Sequence, residues 1–381
     1  MPWQESNPMS EREKFLKDHL SGLWEMKEVC ERYGISRKTG YKWLARVEED
    51  GVDGLRERSR RPHHSPKQTP PDVVELLLKT KQKHVSWGPK KVLAYLAKKG
   101  YSLLPAHSTV ETIFDHQGLV QHRHGPRNWK HPGRSTKEPT APNELWTTDF
   151  KGQFRTRDGV YCYPLTISDL YSRYLLECHG LFSVATEGAM PAFERLFREV
   201  GLPAAIRSDN GSPFASNGIH GFCALNVWWM KLGIVHQRIQ PSHPEQNGAH
   251  ERMHRTLKRE TARPPAQNLR LQQVVFDRFR ATYNDERPHE ALDNDTPASR
   301  WQPSPRPFPD RIKGPEYPGH FEIRRVSNSG CFRIECRQIF LTNPLAGEHI
   351  GLEEVDDGIW SVYYYNTLLA RYDEQTQTLS A

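Results

Sequence analysis

Apolar residues near the amino end recur at helical spacing, through Phe15, Leu16 and Leu20, then Met26 to Tyr33, then Arg37 to about Glu48. Between the last two runs Gly34 is free to take a positive φ, Ile35 is an apolar plug, and Ser36 can cap the next helix by accepting a backbone N–H. Residues 1–54 are therefore predicted to form a helix-turn-helix. In its third helix Trp43, Leu44 and Val47 share the core face, which leaves Arg37, Lys38, Tyr41 and Lys42 to meet a DNA major groove. Residues 55–70 have no apolar period; their prolines and the cations Arg58, Arg60 and Arg61 read as a basic linker. A second helical pattern runs over 71–122, through Val73, Leu76 and Leu77, then Val92, Leu93 and Leu96, then Val110, Ile113 and Phe114. It reads as another helix-turn-helix or as a three-helix spacer.

After a linker over 123–142 the period changes to two. Leu145 to Phe154 and Val160 to Ser168 are strand-like and flank a turn at Asp158-Gly159, and Tyr171 to Val184 offers a third strand. A helix over Thr186 to Val200, a strand over Ala204 to Ser208, a helix over Ile219 to Leu232 and a strand over Ile234 to Ile239 follow, then helices over Ala249 to Arg263 and Leu269 to Asn284. Three antiparallel strands followed by alternating helix and strand predict an α/β core over 143–296. Beyond a proline-rich linker, 297–318, five short β runs over 319–381 with turns at Asp357-Gly358 and Asn366-Thr367 predict a small β barrel.

Charge sharpens this picture. Residues 1–136 hold 25 Lys and Arg against 16 Asp and Glu, whereas the remainder holds 28 against 30, so the basic excess sits with the helical units. That is the balance a polyanion partner such as a nucleic acid selects, with a solvated basic surface as the alternative. No run of about 18 apolar residues predicts a membrane span, and the first ten residues lack the order of a signal peptide. The expectation is a cytoplasmic, nucleoid-associated protein. The six cysteines are scattered, without the paired spacing of zinc knuckles, and read as reduced, mostly buried thiols.

Three carboxylates stand out by context. Asp149 lies inside the apolar run Leu145-Trp146-Thr147-Thr148-Asp149-Phe150, Asp209 ends a strand before Asn210-Gly211, and Glu251 opens a helix after Gln246, Asn247 and Gly248. A carboxylate among apolar neighbours must be paired, hydrogen-bonded or metal-bound. Phosphoryl transfer on DNA uses two Mg²⁺ ions about 3.5–4 Å apart, held by hard oxygen ligands, and a central strand, a neighbouring strand end and a facing helix could present three such groups.

These blocks, with Arg252-Met253-His254-Arg255-Thr256-Leu257-Lys258 and Tyr283-Asn284-Asp285-Glu286-Arg287-Pro288-His289-Glu290-Ala291-Leu292, closely resemble bacterial insertion-sequence transposases with a retroviral-integrase-type core. The likeness covers roughly 140–300, and Cys30 to Pro66 resembles the amino-terminal region of the same enzymes. It implies a ribonuclease-H-like core in a multidomain protein, Mg²⁺ or Mn²⁺ dependence, no covalent enzyme–DNA intermediate, and Asp149, Asp209 and Glu251 as the metal-binding catalytic acids. Zinc is not expected. DNA is the implied partner, together with a second copy of the chain, because an element has two ends. Sixty residues separate the first two acids and forty-two the last two, the second interval being longer than in retroviral integrases. Gly40 departs from the family, which places a β-branched residue there, so a weak recognition helix is expected. Arg252, Arg255 and Lys258 recur along the Glu251 helix towards DNA. Two rival readings stay open: His250-Glu251-Arg252-Met253-His254 also fits the H-E-x-x-H zinc-protease pattern, and a DNA-binding regulator with an inactive core would share the basic helical region.

Overall fold

The structure is a computed structural model that describes residues 7–59, 68–120, 138–216, 221–239 and 248–380. It divides into two compact units, Met1–Gln68 and Thr69–Ala381. Of the positions singled out above, Arg60, Arg61, Gln246 and Asn247 lie outside the described residues, as does most of the 123–142 stretch.

The first unit holds α1 (Pro8–Leu20), α2 (Met26–Arg32) and α3 (Arg37–Asp50), packed on Phe15, Val29, Cys30, Trp43 and Leu55. Gly34 takes φ +64°, and Ser36 caps α3 by accepting from the Thr39 amide at 3.2 Å. α3 runs unbroken through Gly40. That glycine is buried, and a Cβ there would stand 2.8 Å from Cys30 Sγ and 3.1 Å from Phe15 Cζ, so the missing side chain is what lets α3 approach its neighbours. Gly40→Val is accordingly expected to cost about 1–3 kcal/mol by overpacking, seen as a lower urea midpoint at unchanged slope. A neutral or stabilising result would contradict this packing.

The second unit begins with α4 (Pro71–Lys83), α5 (Pro89–Lys98) and α6 (His107–His116), closed around Leu77, Trp87, Val92, Leu96, Val110 and Phe114. It is tied to the elements that follow by ion pairs from Lys83 to Glu286 at 3.0 Å and from Lys98 to Asp295 at 2.8 Å. The central sheet is built from β1 (Leu145–Phe150), β2 (Phe154–Arg155), β3 (Tyr161–Asp169), β4 (Leu175–Leu181), β5 (Ala205–Ser208) and β6 (Val235–Arg238). Its order is β4-β3-β1-β5-β6, with β2 continuing the β1 side of β3. β3 is antiparallel to β1 and β4, whereas β1, β5 and β6 run parallel. The expected ten-residue first strand is split because Gly152 takes φ +77° between β1 and β2. The third strand starts later than expected, since Asp169 accepts from the Ser172 amide and hydroxyl and Arg173 sits at φ +63°, forming a turn.

Helices cover both faces. α7 (Thr186–Val200) and α8 (Ala224–Lys231) meet Trp146, Ile167 and Ile206 through Phe193, Phe197 and Trp229. On the other face α9 (Gly248–Thr261) and α10 (Leu269–Ala281) meet Cys162, Leu175 and Cys178 through Met253, Leu257, Phe276 and Phe279. This mixed α/β sheet fits a ribonuclease-H-like core. Residues 297–318 lie along it, with Trp301 stacked on Tyr174 at 4.2 Å and the Arg306 guanidinium donating to Pro203 O at 2.8 Å.

The tail corrects the barrel expectation. β7 (Glu322–Arg325), β10 (His349–Asp356), β11 (Ile359–Tyr364), β12 (Thr367–Asp373) and β13 (Thr378–Ser380) form an open sheet ordered β13-β12-β11-β10-β7, while β8 (Cys331–Ile334) and β9 (Arg337–Phe340) pair only with each other. The cause is local: Glu335 takes φ +50°, so the run read as one strand from Cys331 to Leu341 reverses into a hairpin instead of spanning a barrel wall. The turn between β11 and β12 falls on Tyr365-Asn366, one residue before the expected pair, with Tyr365 at φ +50°. Three cysteines, Cys30, Cys162 and Cys178, are buried, and all six are free thiols. Among the described residues no helix is long and apolar enough to cross a membrane.

Candidate active site

Parallel pairing of β1 with β5 matches Leu145 to Ala205, Trp146 to Ile206 and Thr147 to Arg207. The offset is sixty residues, the interval that separates Asp149 from Asp209, so the two acids stand level at the carboxyl ends of neighbouring parallel strands. Such ends are where open α/β sheets place ligands. Alternation along β1 sends Trp146 to the α7/α8 side and puts Thr147 and Asp149 on the opposite side, where α9 lies.

α9 turns His250, Met253, His254, Leu257 and Thr261 inward, leaving Glu251, Arg252, Arg255 and Lys258 exposed. Its seat is a cluster of hydroxyls. His250 Nδ1 lies 2.9 Å from Thr147 Oγ1 and 3.1 Å from Ser168 Oγ, and His250 Nε2 lies 2.7 Å from Thr166 Oγ1. The same Thr166 oxygen is 2.6 Å from His254 Nε2 and donates to Asp149 O at 3.0 Å. Burial pushes the His250 imidazole down to about 3 and holds His254 well below its ordinary value, so both are neutral.

Electrostatics couple the acids. Burial, then the Asp209 charge and a smaller push from Glu251, raise the Asp149 carboxyl from an ordinary 3.8 to about 7. Burial also raises Asp209, against a Gly211 amide that donates to its Oδ1 at 3.3 Å. Another buried acid makes the contrast: Asp169 accepts from the Asn143 amide at 2.8 Å and from Ser172 N and Oγ at 2.7 and 2.6 Å. Asp169 is a satisfied structural carboxylate, whereas Asp149 has the Phe150 amide and, at 3.6 Å, the neutral His254 Nδ1 beside it. Among the described residues no three His, Cys, Asp or Glu side chains converge at metal-binding distance. Asp149 and Asp209 are brought level, and Glu251 acts on Asp149 as a weaker third charge.

The H-E-x-x-H reading fares poorly on this geometry. Both ring nitrogens of His250 are engaged with strand hydroxyls in the core, and Glu251 leaves the helix on the exposed side. A metal bound by the histidine pair would have to displace Thr166. The hydroxyl seat itself escaped the sequence reading, although its signal was present: Thr166 and Ser168 alternate on one strand face, and His250 and His254 are four apart on one helix face.

A family model described as an integrase core domain matches residues 139–244, and a second of the same description matches residues 232–297. The chain carries an integrase core of the insertion-sequence transposase type. A model described as the leucine-zipper of insertion element IS481 matches residues 12–83. A 31.7 kDa protein of insertion element IS407 from Burkholderia multivorans is 27% identical over 191 residues, which is 49% of this chain and 65% of that protein. The Gag-Pol polyprotein of avian reticuloendotheliosis virus is 33% identical over 128 residues, 32% of this chain. The chain thus spans less than two thirds of the insertion-element relative and 10% of the viral polyprotein. Among solved structures, the magnesium-bound catalytic core domain of HTLV-2 integrase aligns with 42% of this chain and 97% of its own length at 15% identity and a TM-score of 0.32.

Asp149, Asp209 and Glu251 all fall within this integrase core. The first unit presents Arg37, Lys38, Tyr41 and Lys42 on the exposed side of α3, with the Lys42 ammonium 4.4 Å from the Trp43 ring centre. Arg58 is less available than the sequence suggested, because it is paired with Glu49 at 2.8 Å and Asp50 at 2.6 Å at the end of α3.

Proposed function

We propose that this protein is a transposase that cuts DNA at the ends of an insertion element and joins the freed 3′ hydroxyls to target DNA. The observation that carries the reading is the level pair Asp149 and Asp209 on adjacent parallel strands, with the Asp149 carboxyl raised by burial and by the Asp209 charge. Two half-buried carboxylates and the exposed Glu251 form an all-oxygen donor set, which suits Mg²⁺ or Mn²⁺ and not zinc. Asp149, Asp209 and Glu251 would hold two such ions, which supply charge stabilisation on phosphate and a more acidic attacking hydroxyl. The chain's own part is placement. β1 and β5 hold two acids at one level, α9 would swing the third towards them on metal binding, and Arg252, Arg255 and Lys258 on its exposed face would meet the DNA backbone.

In this reading α2 and α3 act as a helix-turn-helix, with Arg37, Lys38, Tyr41 and Lys42 in the major groove, and Arg58, Arg60 and Arg61 follow the phosphates. The segments are used as separate modules: residues 1–54 and 71–122 for element ends, 143–296 for chemistry, and 319–381 as an accessory β unit. At least two copies act on one element at the nucleoid, because each chain offers one set of acids and the element has two ends.

The test is cleavage of duplexes carrying the element's ends. Mg²⁺ or Mn²⁺ should support cutting, and Ca²⁺ should allow binding with little turnover, since its looser coordination misplaces the nucleophile. Cutting that survives complete chelation would refute the proposal.

A further inference from the structure

A hydroxyl offers one donated and two accepted hydrogen bonds, and Thr166 uses all three. It donates to Asp149 O at 3.0 Å, while His250 Nε2 and His254 Nε2 approach at 2.7 and 2.6 Å. With the hydroxyl proton on the Asp149 carbonyl, both imidazoles donate to Thr166 from Nε2, and His250 Nδ1 accepts from the Thr147 and Ser168 hydroxyls at 2.9 and 3.1 Å. In the alternative tautomer His254 carries its proton on Nδ1, 3.6 Å from Asp149 Oδ2, and accepts from Thr166 at Nε2. In both arrangements Thr166 holds the α9 histidines beside Asp149.

The two histidines flank Glu251 in sequence, and Asp149 lies on β1, so one oxygen atom joins the strand that carries one acid to the helix turn that carries another. Ser168 Oγ makes a second bridge of this kind, to Thr147 on β1 at 2.9 Å and to His250 Nδ1 at 3.1 Å, but of the two only Thr166 reaches the backbone of Asp149 itself. Thr166 is fully buried and well inside β3, and its β-branch limits χ1, so the oxygen has little freedom to drift.

We propose that Thr166 is a positioning residue of the catalytic centre, which sets the distance between Asp149 and the Glu251 turn of α9 by holding both through its hydroxyl. The inference rests on the proposed metal-dependent reaction and adds a residue that touches neither metal nor DNA. Thr166→Val keeps the shape and removes all three bonds; Thr166→Ser keeps the hydroxyl.

The experiment measures Mn²⁺ binding to the full chain by calorimetry, and strand cleavage at saturating Mn²⁺, for wild type and both variants. Thr166→Val should weaken Mn²⁺ binding at least tenfold and slow cleavage at least tenfold, although no ligand is altered, and Thr166→Ser should recover both to within about threefold of wild type. Should Thr166→Val fail to fold, His254→Met removes a single arm of the junction and should weaken Mn²⁺ binding several-fold. A folded Thr166→Val, or a folded His254→Met in its place, that binds Mn²⁺ and cuts like wild type overturns the inference while leaving the transposase reading intact. Wild type that neither binds Mn²⁺ nor cuts would instead refute that reading, and this inference with it.

Discussion

Asp149→Asn is expected to abolish metal-dependent strand cleavage and, in the metal-free protein, to raise stability. The two effects have one cause. The Asp149 carboxyl ionises at about 7 in the folded chain against an ordinary 3.8, so the folded state pays nothing below pH 4, an increasing penalty from pH 4 to 7, and a constant one above. At most this is about 4 kcal/mol at neutral pH, and the amide removes it. His250 and His254 titrate in the opposite sense, losing stability as pH falls below their ordinary range, but they are shared by both proteins and cancel in the comparison. Mg²⁺ should stabilise wild type by mass action and leave the Asn variant nearly unmoved. Loss of a ligand that helps stabilise transition-state charge by several kcal/mol corresponds to cleavage at least 10³-fold slower. Urea melts at pH 5 and 8 with and without Mg²⁺, beside a cleavage assay, check all of this. An Asn variant that cuts normally, or is less stable at pH 8 without metal, would contradict the site.

Breaking the pair between Arg287 and Glu260 is expected to give the largest loss of stability. Arg287 is 7% exposed, always charged, and lies 3.2 Å from Glu260 Oε1, which also accepts from the Ser86 hydroxyl. The Arg259 guanidinium donates to Ser86 O at 3.0 Å, so the end of α9 is bound to the loop between α4 and α5. The segment before Arg287 is anchored in turn, because Asn284 exchanges two hydrogen bonds with the Leu175 backbone, at 2.8 and 3.0 Å. Glu260→Gln leaves a buried guanidinium without its counter-charge and should cost about 3–5 kcal/mol. Arg287→Met should cost less, because the Glu260 side chain keeps 27% of its exposure and can turn to water. Replacing both by Met should recover much of the loss, and a double-mutant cycle in urea measures the coupling. Strict additivity would mean the pair contributes nothing as a pair.

The sequence made the helices and strands of the core legible because their periods are clear: Phe193 and Phe197 on α7, and Leu165 and Ile167 on β3, read directly as one-sided burial. Asp149 and Asp209 stand out because one interrupts an apolar run and the other ends a strand, whereas Glu251, at the start of a polar helix, is singled out by the family resemblance. What the sequence hid were properties of pairing. Gly40 looked like a flaw in a helix because the cost of a Cβ there is set by Cys30 and Phe15, which belong to other helices. The strand read over Cys331 to Leu341 split into a hairpin on a single left-handed residue, Glu335, of a type that gives no warning of that conformation. Thr166 looked like ordinary strand filler until His250 and His254 were placed beside it. Arg287 lay in a recognisable block, yet its role depends on Ser86, 201 residues away.

The grip of the α4–α5 loop on the end of α9 bears on how such proteins can be recombined with one another. An exchange of amino-terminal segments that cuts between residues 120 and 138 would bring in a foreign helical unit, strip Glu286 of Lys83, and leave Glu260 and Asp295 with Arg287 and Arg300 but without Ser86 and Lys98, unless the incoming unit matched those residues. A crossover at residue 68, where the first unit ends, transfers α3 with its exposed cations and leaves those contacts whole. Under the proposed function, new end specificity would therefore pass between relatives more readily through that upstream seam than through the longer stretch that precedes the core.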